Sequence, residues 1–295
     1  MKLFRVVYLL FAAIIVLSGC QSNTDNEKNE AKQESKEKVE YKRIISLIPS
    51  NTEILYELGL GDKVVGVSTV DDYPKDVKDK KQFDAFKLDT EALMKAKPDL
   101  ILAHESQKGM NGKVLSSLKQ NDIKVVYVKD AQSISEMYDT FENIGKLTNK
   151  EQAAKKLIDE TKGNIKKVVE SVPDTKQQPN VFMEVSSEPE IFTAGKNTFF
   201  NDMLTQLHAK NSFASKEGWQ KVSKEEVIKQ NPDVMIGTMG ISKEKYQESV
   251  KQRGGFNHIQ AVQYDQVTTV NGDEISRPGP RIDEGLKALR DAIYN

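Results

Sequence analysis

Glu91-Ala-Leu-Met-Lys-Ala-Lys-Pro98-Asp99-Leu-Ile-Leu102 and Glu225-Glu-Val-Ile-Lys-Gln-Asn-Pro232-Asp233-Val-Met-Ile236 are two copies of one pattern. In each, a glutamate stands seven residues before a Pro-Asp pair that opens an apolar run. Proline ends a helix and forces an extended start. Each copy therefore predicts a short helix, a turn and a strand. Each glutamate falls near its helix start, where the dipole favours a carboxylate. The repeat predicts two lobes of matching build, each with one carboxylate at an equivalent surface position. Glu91 and Glu225 make a plausible two-point docking site.

Reading outward, the first copy is embedded in alternating strands and helices. Arg43–Ile48 reads as a strand and is followed by Pro49–Glu53. Ile54, Leu55 and Leu58 then recur at helical spacing, with Ser50 or Asn51 as cap and Gly59 as terminator. Val64–Val67, Leu100–Ala103 and Val125–Val128 read as strands, and Thr90–Lys97 and Val114–Gln120 as helices. The strands are apolar runs without polar alternation, which predicts a largely parallel sheet covered on both faces. The second copy has the same surroundings. Asn180–Val185, Val234–Gly237 and Val267–Val270 read as strands, and Phe199–Leu207, Lys224–Gln230 and Ile282–Tyr294 as helices.

Between the two halves, Thr148 to about Val172 carries Ala154, Leu157, Ile158, Ile165, Val168 and Val169 as an apolar stripe at helical spacing. Thr148 and Glu151 fit a capping box. One helix of about 24 residues would be some 36 Å long. The alternative is two shorter helices broken at Gly163; the single rod is preferred.

The N-terminus reads as targeting. Lys2 and Arg5 precede an uncharged apolar run, Val6–Leu17, too short for a comfortable membrane crossing but right for a signal peptide. It ends in Leu17-Ser18-Gly19-Cys20, and Cys20 is the only cysteine. This box resembles that of bacterial lipoproteins, which implies cleavage after residue 19 and lipidation of Cys20. Residues 21–40 are almost wholly polar and have nothing to bury, so they read as a disordered tether. The expected divisions are thus 1–19 signal peptide, 20–40 lipidated cysteine and tether, 41–147 first lobe, 148–172 inter-lobe helix and 173–295 second lobe.

Composition narrows the function. Forty-three basic and 44 acidic residues leave a net charge of −1, which argues against a nucleic-acid binder. One cysteine cannot form an intrachain disulfide, and three scattered histidines do not make a metal site. No Gly-x-Ser-x-Gly, phosphate loop or dinucleotide fingerprint is present. A surface hydrolase would need an unrecognised nucleophile. His104 is the one histidine just past a predicted strand, where α/β folds bind ligands.

Five segments occur in order: Arg43–Leu55, Val65–Pro74, Lys97–Leu102, Phe192–Lys196 and Ser276–Ile282. Together they resemble the substrate-binding proteins of ABC importers for cobalamin and iron complexes, and most of all the cobalamin-binding members. The resemblance covers Lys42 to Asn295. It implies an α/β protein of two Rossmann-like lobes joined by one long backbone helix, with the ligand in the cleft between them. It implies an extracytoplasmic lipoprotein at the cell membrane, a monomer without enzymatic activity or cofactor. Such a protein delivers cobalamin or a related corrinoid to an ABC permease and its ATPase subunits, and Glu91 and Glu225 would pair with permease arginines.

The ligand contacts carried over by the resemblance are Asp273, Glu274, Ile275, Ser276 and Arg277, with Trp219 and Phe192 as aromatic positions of the second lobe. In the first lobe they are Phe86, Tyr73 and Val70, the last standing where the cobalamin binders carry a tyrosine. A ferric siderophore or haem is the alternative ligand. Arg277, Arg281 and Arg253 would face an acidic chelate; His104, Met110 or Tyr73 would supply a haem axial ligand.

Overall fold

The computed structural model describes residues 39–295. The expected signal peptide, Cys20 and the tether up to residue 38 lie outside the described residues. Residues 39–295 form one compact unit.

The first lobe contains β1 (Ile44–Ser46), α1 (Pro49–Glu57), β2 (Val64–Ser68), β3 (Lys81–Phe83), α2 (Thr90–Lys95), β4 (Leu100–His104), α3 (Gln107–Met110), α4 (Gly112–Gln120) and β5 (Lys124–Val128). Its sheet has the order β3-β2-β1-β4-β5, with every pairing parallel. Two helices follow, α5 (Ile134–Leu147) and α6 (Glu151–Glu170).

The second lobe contains β6 (Asn180–Ser186), β7 (Ile191–Ala194), α7 (Phe199–Gln206), β8 (Lys210–Asn211), β9 (Trp219–Val222), α8 (Lys224–Gln230), β10 (Val234–Gly237), α9 (Lys243–Gln252), α10 (Gln260–Gln263), β11 (Val267–Thr269), α11 (Gly272–Ser276) and α12 (Ile282–Tyr294). Its sheet runs β11-β10-β6-β7-β9, with β8 also paired to β6. This sheet is mixed, because β7 is antiparallel to both β6 and β9.

The sequence repeat has a physical cause. The Asp99 carboxylate accepts the backbone N–H groups of Lys42 and Arg43 at 2.7 and 3.0 Å. Asp233 accepts that of Asn180 at 2.8 Å. Each Pro-Asp therefore clasps the strand leaving its helix to the first strand of its own lobe. The residues before the prolines, Lys97 and Asn231, both take positive φ, 48° and 43°, to make the turn. The helices start alike. Asp89 caps α2, and Ser223 caps α8 in a complete capping box with Glu226. Glu91 and Glu225 thus occupy the second position of their helices, and both are exposed.

Two local expectations are corrected. Ile48, not Ser50 or Asn51, occupies the N-cap of α1, because Pro49 takes the first helical position. Gly59 does terminate that helix, at φ 73°. Thr148 does not open the long helix; it closes α5, donating its hydroxyl to the Ile144 carbonyl at 2.7 Å. Lys150 then occupies the N-cap position of α6 without a side-chain cap, and α6 spans 20 residues without a break at Gly163, about 30 Å at 1.5 Å per residue.

The lobes are not held by this rod alone. One apolar cluster runs through both, joining Ile44, Leu100 and Leu102 to Leu157 and Ile165 of α6 and to Val181 and Leu286. Each lobe also has a smaller cluster of its own. A continuous core resists hinge motion, because packed interiors deform little.

Candidate functional site

Open α/β sheets bind ligands beyond the carboxyl ends of their strands, at the point where strand order reverses. In the first lobe that point lies between β1 and β4. There a small cavity of about 80 Å³ is lined by Ser50 and Asn51 after β1 and by His104 at the end of β4. In the second sheet the reversal lies between β6 and β10. There a cavity of about 440 Å³ is lined by Val185, Thr238, Met239 and Gly240, with Phe200, Trp219 and Asp273. Ser276 lines both cavities, so they meet at the seam between the lobes.

The segment 273–277 divides by its helical geometry. Asp273 and Ser276 line the larger cavity, and Arg277 the smaller. Ile275 points the other way and is 0% exposed within the shared core, so it is a packing residue and not a ligand contact. Glu274 accepts a hydrogen bond from the Asn271 side chain at 3.0 Å and lines neither cavity.

The aromatic residues also divide. Trp219 is 53% exposed and lies edge-on to Phe200, with ring centroids 5.4 Å apart. Phe192 is half-buried on β7 and lines neither cavity. Phe200 takes that place, and sequence reading misses it because it looks like one more apolar residue of α7. Phe86 and Val70 are exposed on first-lobe loops outside the two cavities. Tyr73 is engaged: the Arg281 guanidinium stacks on its ring at 3.9 Å from the centroid.

All three arginines considered for an acidic ligand are already held. Arg277 pairs with Asp72 of the first lobe and with Asp273, the latter at 3.2 Å, and reaches the Val70 carbonyl at 3.4 Å. Arg281 binds both oxygens of Glu53 at 2.8 and 3.0 Å. Arg253 is buried in the second lobe, bidentate to Glu184 at 2.7 Å on both arms, while Tyr246 donates to the same carboxylate at 2.9 Å. Arg253 is therefore structural and cannot face the cleft. In the first lobe, near Arg277, burial raises the Asp71 carboxyl above its ordinary range, against the pull of hydrogen bonds from Ser68 and the Arg277 charge.

The candidate axial ligands do not converge. His104 places Nδ1 2.7 Å from the Ser106 hydroxyl and Nε2 3.4 Å from Asp130. Met110 lines a separate depression of about 700 Å³ over α3 and α4, with Lys108, Lys113, Lys119 and Tyr127. That depression shares no residue with either seam cavity. Among the described residues no group of three or more His, Cys, Asp or Glu could hold a metal ion.

Two lobes fused through a shared core, with cavities at both switch points meeting at one seam, define a solute receptor. The chain belongs to the periplasmic binding protein family, which matches residues 44–273. It is 39% identical to YvrC, an ABC transporter substrate-binding lipoprotein of Bacillus subtilis, over 97% of this chain and 95% of that one. It is 29% identical to a vitamin B12-binding protein of Vibrio campbellii, over 81% and 84%. Among solved structures, a possible iron-binding (periplasmic solute-binding) protein of Staphylococcus epidermidis superposes with a TM-score of 0.83 at 66% identity, covering 87% of this chain and all of that one. The vitamin B12-binding protein BtuF of Vibrio cholerae gives 0.71 at 26% identity, covering 86% and 96%. The haem-binding RhuT of Roseiflexus gives 0.76 at 21% identity, covering 86% and 98%, which is a likeness of fold alone. The protein is thus an ABC transporter substrate-binding protein of the B12 and iron-complex family, a class of carriers of a transported ligand. Among the described residues no helix is long and apolar enough to cross a membrane.

Proposed function

We propose that this receptor captures a corrinoid of the vitamin B12 class at the inter-lobe seam and presents it to its permease. The observation that carries the reading is the state of the arginines. Arg277 and Arg281 at the seam are neutralised by Asp72, Asp273 and Glu53. An acidic chelate or a haem propionate would have to displace those carboxylates, and displacing the buried Glu53 would leave its charge uncompensated. A corrinoid has a broad apolar face and neutral amide arms, which suits an exposed indole beside polar rim groups. Trp219, Asp273, Ser276 and Arg277 are the contacts this reading assigns, with Phe86, Tyr73 and Val70 on the opposing rim. Glu91 and Glu225, one per lobe, are the permease docking points. Cys20 carries the lipid that holds the receptor, as a monomer, at the outer face of the cell membrane.

Calorimetric titration of the full chain in detergent tests this, with cyanocobalamin, haemin and a ferric siderophore run side by side. One-to-one saturation by cyanocobalamin alone is the expected result. Saturation by haemin or the siderophore without cobalamin binding would overturn the ligand assignment and leave the receptor fold standing.

A further inference from the structure

We infer that Asn51, together with the open first turn of α1, forms a subsite for the oxygen of a neutral carboxamide on the ligand. The inference rests on the corrinoid reading and names the contact that recognises a side arm. Asn51 is 1% exposed, and its Nδ2 has no hydrogen-bond acceptor in the structure. A buried donor without a partner costs stability, so its persistence at a cavity wall needs an explanation.

The helix start supplies more donors. α1 has nine residues, its cap Ile48 offers no side-chain acceptor, and Pro49 has no N–H. The amides of Ser50 and Asn51 therefore have no acceptor within the helix. All of these groups belong to the wall of the small cavity at the β1/β4 switch point. At about 80 Å³ it has room for the head of one side arm and not for a macrocycle. Ser276 joins it to the larger cavity beside Trp219, so a ligand body lying there can send an arm across the seam.

Charge selects the neutral group. The side chains of the small cavity that can carry positive charge are Arg277, Lys129 and His104, and Asp130 is its acid. Each faces an acid of the chain: Arg277 faces Asp72 and Asp273, Lys129 faces Glu136 at 3.2 Å, and His104 faces Asp130 at 3.4 Å. No positive charge is left over. A carboxylate entering the cavity would be an unpaired anion among these acids, whereas a carboxamide oxygen accepts the same hydrogen bonds without bringing charge. The subsite would therefore distinguish amide arms from carboxylate arms.

The test uses the full chain with cyanocobalamin and its monocarboxylates, in each of which one side-arm amide is hydrolysed to the acid. One isomer is expected to bind at least roughly tenfold more weakly than the parent, because its carboxylate would sit unpaired among these acids. Asn51→Ala and the near-isosteric Asn51→Asp should each weaken cyanocobalamin by about tenfold. Asn51→Ala should keep the discrimination against that isomer, because the acids that oppose a carboxylate remain. Thermal unfolding of both variants reports whether the fold is kept, and the monocarboxylate series on the unmutated chain does not depend on it. Equal binding of all monocarboxylates, or unmutated affinity in both variants, would overturn the subsite while the corrinoid reading stands. Failure of the unmutated chain to bind cyanocobalamin would overturn that reading and the subsite with it.

Discussion

Arg281, at the N-terminus of α12, grips the carboxylate of Glu53 in α1 with two parallel hydrogen bonds, 2.8 Å from Nη2 to Oε1 and 3.0 Å from Nε to Oε2. Glu53 is only 3% exposed, and the Tyr73 ring covers the guanidinium at 3.9 Å. The pair ties a helix of the first lobe to the last helix of the chain. Asp202 of α7 accepts the backbone N–H of Ile134 at 2.8 Å, a second tie between the lobes. With the shared apolar core, these contacts favour a receptor that closes little on its ligand.

Removing one partner of the Glu53–Arg281 pair strands a buried polar group. Glu53→Gln and Arg281→Met should each lower stability by roughly 1.5–3 kcal/mol, the range for hydrogen bonds to charged groups. The double variant should lose less than the sum of the two, since the contact can be lost only once. Urea denaturation of the three variants provides the cycle. Strict additivity would show that the two side chains contribute independently.

Much of this architecture is legible in the chain because it repeats. The Pro98-Asp99 and Pro232-Asp233 copies mark equivalent clasps, and the apolar runs mark strands. The seam is less legible. Glu53 lies 228 positions from Arg281, and nothing local to either residue announces the other. Ile275 and Ser276 are adjacent in one loop motif, yet helical geometry sends the first into the core and the second into the cleft. Phe200 differs from a core phenylalanine only in what lies beyond it. α5 carries Met137, Phe141 and Ile144 at helical spacing, but Ser133 and Thr148 at its ends give local signals that fit neighbouring elements as well.

The raised carboxyl of Asp71 has a defined pH signature. Burial makes the folded chain hold this proton more tightly than the unfolded chain does. Between the ordinary carboxylate range and the raised folded value, the ionised form therefore weighs against folding increasingly as pH rises. Below the ordinary range the contribution vanishes, and above the folded value it is constant. Asp71→Asn removes it. The stability of the variant relative to the parent should accordingly climb with pH across that window and then level off, by at most about 1.4 kcal/mol per pH unit. Denaturation midpoints measured from acid to neutral pH give the curve; a relative stability that falls with pH would contradict the assignment.

Glu91 and Glu225 are exposed at matching helix positions and line neither seam cavity. Glu91→Ala combined with Glu225→Ala should abolish uptake in cells while leaving solution affinity for the ligand within about twofold. Exposed ion pairs contribute only about 0.2–1 kcal/mol each, so the loss should appear chiefly in orientation and encounter rate with the permease. Uptake at the unmutated rate would remove these glutamates from the docking surface.

Cys20→Ala should leave the precursor unprocessed or release the protein from the membrane fraction, with the folded domain intact. Immunoblotting of membrane and medium fractions reads this directly. Processed, membrane-retained Cys20→Ala protein would mean that something other than a lipid on Cys20 holds the receptor.

Trp219 offers the most direct view of the site. It is the only tryptophan of the chain, it is half-exposed at the mouth of the larger cavity, and Phe200 holds its ring edge-on. An indole so placed presents a flat face to anything entering the seam. Ligand binding should therefore change the intrinsic tryptophan fluorescence, with a midpoint equal to the calorimetric one. Trp219→Ala should weaken binding by about 2 kcal/mol, roughly thirtyfold, as truncation of a central aromatic anchor does. Trp219→Phe keeps a flat apolar face and should recover most of the difference. The exposed position of the ring predicts little change in folding stability for either variant, because the side chain gives up mainly its contact with Phe200. A large loss of stability together with unchanged affinity would reverse the roles, making Trp219 a packing residue and leaving the cleft without its principal aromatic contact.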